Sequence, residues 1–363
     1  MVNNFKKILV ICPYGIGDTL FATPLLRVLK KTFPSSKLSV LIGSRTEELV
    51  KNNPYVDDII VDDKDFWRTK KLWKLRRNIY FLKFQNQKYD VSMDLSLSRE
   101  YGWLSKFILK IPIRVGFNFR NRGVYLTHKL DLPHGFYGEH MTRYYLETLK
   151  LLGIEHEGEE SLSYDFKPHL NEEQRKNVEK KFSPILARKK KTVAIFPGGG
   201  ASWGEQAEWR LWHFSHFASL IDMLVSHYDV DVVLLGDRKE KNLGSRIQAM
   251  TQTEVFNLTG EFTLSEIGWA FSSCVSFVLC NDGGPFHLAM SQKTPVLGIY
   301  GPVSELVYGT PDKVLTTSIS SEVKCRPCYY QFRIASCALP RCLTELTPET
   351  VFAHVDKHFR QVF

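Results

Sequence analysis

Short apolar runs rich in β-branched residues recur along this chain between longer stretches of helical periodicity. KILVIC, KLSVLIG, DDIIVDD and DVSMDLS occupy the first half, and TVAIFPG, DVDVVLLGD, SFVLCND and PVLGIYG the second. Runs this short and this apolar are strands buried on both faces, and their alternation with helices makes them parallel strands joined by crossover helices. The expectation is an α/β protein built on parallel sheets.

The series pauses between Glu155 and Lys191, where EHEGEE and ARKKK flank a polar stretch, and resumes with a second glycine-rich turn behind a strand. A chain of 363 residues is too long for one ordinary core. The pattern predicts two Rossmann-like domains, over 1–165 and 191–345, with a linker over 166–190. A terminal helix is predicted over 346–363, with Thr347 as N-cap and Pro348 at its first position.

Lys and Arg outnumber Asp and Glu by 48 to 39, a net charge of +9 that favours an acidic partner such as a nucleotide, a phosphorylated glycan, an anionic membrane or a nucleic acid. The short apolar segment before the first glycine turn is too little for a signal-peptide core, and no run approaches the roughly 18 residues of a membrane span. The expected location is cytoplasmic, soluble or peripheral. Seven cysteines without an export signal argue against a disulfide framework, and Cys12, Cys274 and Cys280 read as reduced core residues.

The first glycine turn, CPYGIGDTL, places Gly15 and Gly17 after a strand but Leu20 where a dinucleotide turn has its third glycine. Asp18 would face the phosphates of any dinucleotide bound there, so a nicotinamide oxidoreductase is the least favoured enzyme. Asp18 has two readings: a helix-stabilising acid in the first turn, or a general base at the strand ends. The second turn, FPGGGASW, offers Gly198 to Gly200 and Ser202 as an anion nest, and Arg210 follows at the start of an amphipathic helix. The third, SFVLCNDGGPFHLAM, sets Asp282, Gly283, Gly284 and His287 at a strand-to-helix turn, which reads either as a capped turn with a buried histidine or as part of a nucleotide site.

Together these residues resemble glycosyltransferase family 9, the ADP-heptose:lipopolysaccharide heptosyltransferases and their relatives, over nearly the whole chain. The resemblance implies a GT-B fold of two facing Rossmann-like domains, with the donor held mainly by the C-terminal one and the acceptor by the N-terminal one. It implies direct, inverting transfer with no cofactor or metal needed for catalysis. Asp18 matches the family's proposed base, with Gly17 beside it on the acceptor side. Gly199, Gly200 and Ser202 fall in the phosphate-contacting loop, and Arg210 matches a lysine that meets the donor phosphates. Glu240 falls where an acid binds the ribose, and Phe262 beside the adenine. Asp282, Gly284 and His287 match the nucleotide-sugar turn, where Gly283 replaces a usual Thr or Ser. The donor implied is a nucleotide-diphosphate heptose, ADP-heptose foremost, and the acceptor a lipopolysaccharide core or similar lipid-linked glycan.

Between Lys64 and Asp90, Trp67, Trp73, Tyr80 and Phe81 interleave with Arg68, Lys70, Lys71, Lys74, Arg76 and Arg77. The segment reads equally as a solvated amphipathic helix or as an interfacial helix at the anionic inner face of the membrane, with nucleic acid ranked lower. Arg114, Arg120 and Arg122 are cations for phosphates on an acidic acceptor. Cys325, Cys328, Cys337 and Cys342, spaced C-x2-C-x8-C-x4-C, suit a structural zinc site, with packing thiols or a labile disulfide as the alternatives. Two further readings stay open: a nucleotide-sugar epimerase of the same fold, and a non-catalytic module binding nucleotide sugar or membrane.

Overall fold

The computed structural model describes residues 4–156, 162–199, 209–310 and 315–362. Its contacts divide the chain into two compact units, Met1–Phe166 and Lys167–Phe363.

The first unit contains β1 (Lys7–Cys12), β2 (Lys37–Ile42), β3 (Asp58–Val61), β4 (Val91–Asp94), β5 (Ile113–Asn118) and β6 (His128–Asp131). They form one sheet in the order β3-β2-β1-β4-β5-β6, and every pairing is parallel. The second unit contains β7 (Lys191–Phe196), β8 (Val230–Leu234), β9 (Phe256–Asn257), β10 (Phe277–Asn281), β11 (Val296–Tyr300) and β12 (Thr316–Ser320). Their order is β12-β11-β10-β7-β8-β9, again all parallel. Counted from its own first strand, the second sheet repeats the order of the first. The parallel α/β architecture expected from the sequence is therefore present twice. In both sheets the order reverses beside the first strand, between β1 and β4 and between β7 and β10. That reversal opens a crevice at the carboxyl ends of the strands, where ligands of open α/β sheets bind.

Local chemistry explains the elements that carry the site. The helix Ile16–Thr32 contains Pro24, which lacks the N–H that would reach Leu20 O. The Thr23 hydroxyl donates to that carbonyl at 2.8 Å instead, so the helix continues without an orphan acceptor. The stretch expected as a linker over 166–190 is mostly the helix Glu172–Leu186, opened by a capping box between Asn171 and Gln174. Val178, Phe182 and Ile185 repeat on one face and are fully buried, which is why a stretch of polar composition folds onto the second unit. The terminal helix runs Pro348–Phe359, and the Thr347 hydroxyl caps it by accepting from Thr350 N–H.

One buried charge cluster braces the first unit. Arg77, on the helix Trp73–Leu82, donates from Nε and Nη2 to the two carboxylate oxygens of Asp62 at 2.8 and 2.5 Å, and from Nη1 to Glu100 at 2.6 Å. The Tyr101 hydroxyl adds a bond to Asp62 at 2.7 Å. Removing one partner of such a pair strands the other charge, at a cost of about 3–5 kcal/mol. Arg77→Met is expected to lower the melting temperature by roughly 6–20 °C in a thermal scan. An unchanged melting temperature would show that the cluster does not hold the helix to the sheet.

Candidate active site

In the first unit, β1 ends at Cys12 and the chain turns through Gly15 into the helix Ile16–Thr32, carrying Gly17 and Asp18 in its first turn. Asp18 Oδ2 accepts from Gly15 N–H at 3.2 Å, which fixes the carboxylate at the helix N-terminus beside the strand-order reversal. Asp18 and Gly17 are both partly exposed. Leu20 is fully buried, so the position where a dinucleotide turn keeps glycine is filled by a core side chain.

A second carboxyl stands at the same reversal. Asp94 closes β4 in register with Ile11 of β1, and its Oδ1 accepts from Ser96 N–H at 2.9 Å. Burial pushes the Cys12 thiol up, and Asp18 and then Asp94 add to that shift, so both carboxylates lie near the end of β1. The Tyr14 hydroxyl accepts from Leu97 N–H at 2.9 Å, and Arg122 Nη1 donates to Leu97 O at 3.3 Å, so the loop after β4 is held from two sides. Arg120 has φ +52°, and its guanidinium lies 4.9 Å from the Phe119 ring centre. Arg114 is placed differently. Its Nε donates to Tyr125 O at 2.6 Å, and its Nη1 to Ile111 O and Pro112 O at 2.5 and 3.0 Å. The expectation that it faces acceptor phosphates does not fit this placement, because its donors clamp backbone carbonyls.

In the second unit the two expected glycine turns and Glu240 lie at the ends of β7, β10 and β8. Glu240 Oε2 accepts from Asp237 N–H at 2.9 Å. A Cβ on Gly198 would fall 1.8 Å from Glu240 Oε1, and one on Gly236 2.6 Å from Oε2, so the carboxylate lies against both backbones and a side chain at either glycine would displace it. Gly199 follows, while Gly200 and Ser202 lie outside the described residues. Asn281 links the elements: its Nδ2 donates to Pro197 O at 2.8 Å, and its Oδ1 accepts from Trp212 N–H at 3.0 Å.

Arg210 is buried. Its Nη2 donates to Asp282 O at 2.9 Å and forms a short ion pair with the Asp282 carboxylate. Burial pushes the Asp282 carboxyl up, and the charge of Arg210 opposes that shift. Gly283 has φ +155°, a conformation that strains any residue with a side chain, so glycine here meets a backbone demand that Thr or Ser would resist. A Cβ on Gly283 would come within 3.8 Å of Gly199 O, so two of the glycine turns abut. The helix Gly284–Ser291 starts at this turn and carries His287, buried with its ring edge-on to Phe286 at 5.3 Å. Phe262 stacks on Phe182 at 5.7 Å, and Lys181 and Lys241 hold the neighbouring Glu261 carboxyl down at about 2.

The four late cysteines are free thiols, and among the described residues no group of three or more His, Cys, Asp or Glu is placed to hold a metal ion. Burial first, and then the neighbouring thiols of Cys325 and Cys337, raise Cys328. Their surroundings differ: Cys342 belongs to the core with Leu343 and Leu346, Cys325 is exposed, and Cys337 Sγ bonds Leu339 O at 3.1 Å. The zinc set expected from the spacing is not shown by this arrangement.

The sequence model of glycosyltransferase family 9 (heptosyltransferase) matches residues 77–338. This chain belongs to that family. Lipooligosaccharide heptosyltransferase 2 of Campylobacter jejuni is 25% identical over 352 residues, covering 95% of this chain and 96% of its own. The structure of E. coli ADP-heptose lipopolysaccharide heptosyltransferase II matches with TM-score 0.73 at 21% identity, covering 98% of this chain and 99% of that one. A family 9 glycosyltransferase structure from Veillonella parvula matches with TM-score 0.79 at 21% identity over 99% of both chains. The fold is GT-B, and this family 9 member is a glycosyltransferase enzyme.

Sequence reasoning missed Asp94, Asn281 and Tyr14 of this glycosyltransferase. A signal existed for the first two: each ends an apolar strand with a polar residue just where the carboxyl edge of a parallel sheet must lie. Asp94 carries a pH signature. Burial pushes its carboxyl up to about 7, against the bonds from Ser96 and the charge of Lys64. The folded protein therefore binds a proton that the unfolded chain releases near pH 4, and stability falls as pH rises from about 4 to about 7. Asp94→Asn keeps the acceptor oxygen and removes the charge. It is expected to match wild type near pH 4 and to be more stable at pH 8 by on the order of 1–4 kcal/mol in denaturant titrations. A variant less stable at pH 8 would contradict the placement of Asp94 as a buried acid.

Proposed function

We propose that this enzyme transfers a heptose or related sugar, with inversion, from a nucleotide-diphosphate donor to a lipopolysaccharide core or similar lipid-linked glycan. ADP-heptose is the donor favoured, because the E. coli relative is an ADP-heptose enzyme. The observation that carries the reading is the Asp18 carboxylate fixed at the strand-order reversal of the first unit, paired with a nucleotide-type turn at the same place in the second.

In this reading Asp18 takes the proton from the acceptor hydroxyl as that oxygen attacks the anomeric carbon. The negative charge moves to the departing diphosphate, met by backbone N–H groups at Gly199 and at the N-terminus of the helix Gly284–Ser291. Arg210 fixes the Asp282–Gly283 turn that presents those donors, acting through its bonds to Asp282. Glu240 accepts from the ribose hydroxyls, and Phe262 borders the base. Arg120 and Arg122 supply positive charge on the acceptor side.

A positioned base contributes about 10²–10⁴-fold. Asp18→Asn is expected to lower kcat by that factor while the calorimetric affinity for ADP stays within about twofold. Retained turnover would remove the base role, and donor turnover without acceptor would favour an epimerase. Glu240→Ala is expected to weaken ADP binding about tenfold, the loss of about 1.4 kcal/mol in hydrogen bonding. Gly198→Ala is expected to act in the same direction, because its methyl displaces the Glu240 carboxylate.

A further inference from the structure

The helix Trp73–Leu82 has two unlike faces. Inward, Phe81 enters the core with Leu9 and Ile11, and Arg77 is locked by Asp62 and Glu100. Outward, Leu72, Leu75, Ile79 and Leu82 are 67, 56, 53 and 45% exposed. Leu75, Ile79 and Leu82, spaced four and three residues apart, share one stripe of the helix, and Leu72 is its N-cap residue. Phe66, on the preceding helix Lys64–Arg68, is 47% exposed as well. A stripe of large aliphatic side chains left in water is the mark of an interaction surface.

The flanks of the stripe are basic. Lys71, Lys74, Arg76 and Lys83 are exposed, and the only acid between Lys64 and Lys88 is Asp65, which lies 3.9 Å from Arg68. The Lys70 and Lys83 ammonium groups lie 4.6 and 5.8 Å from the ring centres of Phe66 and Tyr80, so their stems run along apolar surface and their charges reach past it. Among the described residues no helix is long and apolar enough to cross a membrane.

We propose that this stripe docks the protein on an anionic lipid bilayer, with Leu72, Leu75, Ile79 and Leu82 entering the boundary between headgroups and acyl chains. Lys71, Lys74, Arg76 and Lys83 then meet the lipid phosphates. Charge selects this occupant. A second copy packed about a twofold axis would bring the basic flanks against each other. A nucleic acid would satisfy the charges but leave Leu75 and Ile79 in water, because base stacking calls for aromatic rings rather than aliphatic chains. The buried Arg77 cluster makes the surface rigid, since it fixes the inward face and so the direction of the outward one. The purpose of docking rests on the proposed lipid-linked acceptor, but the docking itself is testable without any acceptor.

The test is vesicle co-sedimentation of the full chain with phosphatidylcholine vesicles containing about a third phosphatidylglycerol, beside pure phosphatidylcholine. Wild type is expected to partition onto the anionic vesicles and to be released as salt rises. Leu75→Ser/Ile79→Ser is expected to cut partitioning at least about tenfold at low salt, with ADP affinity and melting temperature unchanged. Lys71→Gln/Lys74→Gln/Arg76→Gln is expected to abolish the preference for anionic vesicles. Undiminished partitioning of the serine variant, or no partitioning of wild type, overturns the proposal. So does tight wild-type binding to a single-stranded oligonucleotide with no binding to vesicles, which would make the face a nucleic-acid surface. Transfer to a water-soluble acceptor fragment separates the two readings: if it is intact in the serine variant, a docking failure leaves the transferase reading standing, and if it is absent from wild type, that reading fails alone.

Discussion

A parallel sheet covered by helices on both faces leaves one place for polar chemistry, the carboxyl ends of its strands. This chain meets that constraint twice, with the same strand order in each unit. The residues that can act on a ligand are consequently those that follow β1 and β4 in one unit and β7, β8 and β10 in the other. Asp18 and Asp94 share the first edge, and Gly198, Glu240 and Asp282 the second. The interior of each sheet is mainly apolar packing, as β10 and β11 show, with a few buried polar residues such as Ser92 in β4 and Asp231 in β8.

Two buried arginine–carboxylate contacts show how the same chemistry serves different ends. Arg77 is satisfied by three acceptor oxygens from Asp62 and Glu100, and the cluster sits under a helix, where it fixes direction. Arg210 bonds both the carboxylate and the carbonyl of Asp282, so it fixes a backbone turn rather than a helix. A turn held this way keeps its N–H groups oriented without reorganisation when an anion arrives, which is the condition for electrostatic stabilisation. The desolvation cost of Asp282, visible in its raised carboxyl, is the counterpart of that preorganisation.

The fold was legible because buried parallel strands write themselves as short apolar runs, and both sheets follow that pattern. Asp18, Arg210 and the glycine turns were legible because they stand directly behind such runs. Asp94 and Asn281 were hidden inside runs of apparent strand, where only the position of the sheet edge gives a polar residue meaning. The helix Glu172–Leu186 is hidden in the stretch expected as a linker, because its polar composition outweighs three apolar residues at helical spacing. Arg114 and the four cysteines mark another limit. Their residue types suited a ligand, but which atoms they meet depends on the paths of loops that spacing does not encode.

The charge at the two edges also argues which ligand belongs to which. Beside β1 stand two carboxyls, Asp18 and Asp94, and the charges of both act on Cys12. A diphosphate brought to that edge would add negative charge beside the Asp18 carboxylate, where burial already holds back the ionisation of Asp94. A sugar hydroxyl is neutral when it arrives and must lose a proton to react, so the same edge suits it. Beside β7 and β10 the carboxylate of Asp282 is compensated by Arg210, and the helix Gly284–Ser291 turns its N-terminus toward the crevice. With its fixed charge neutralised and a helix N-terminus at the turn, that edge suits an anion better than the first does.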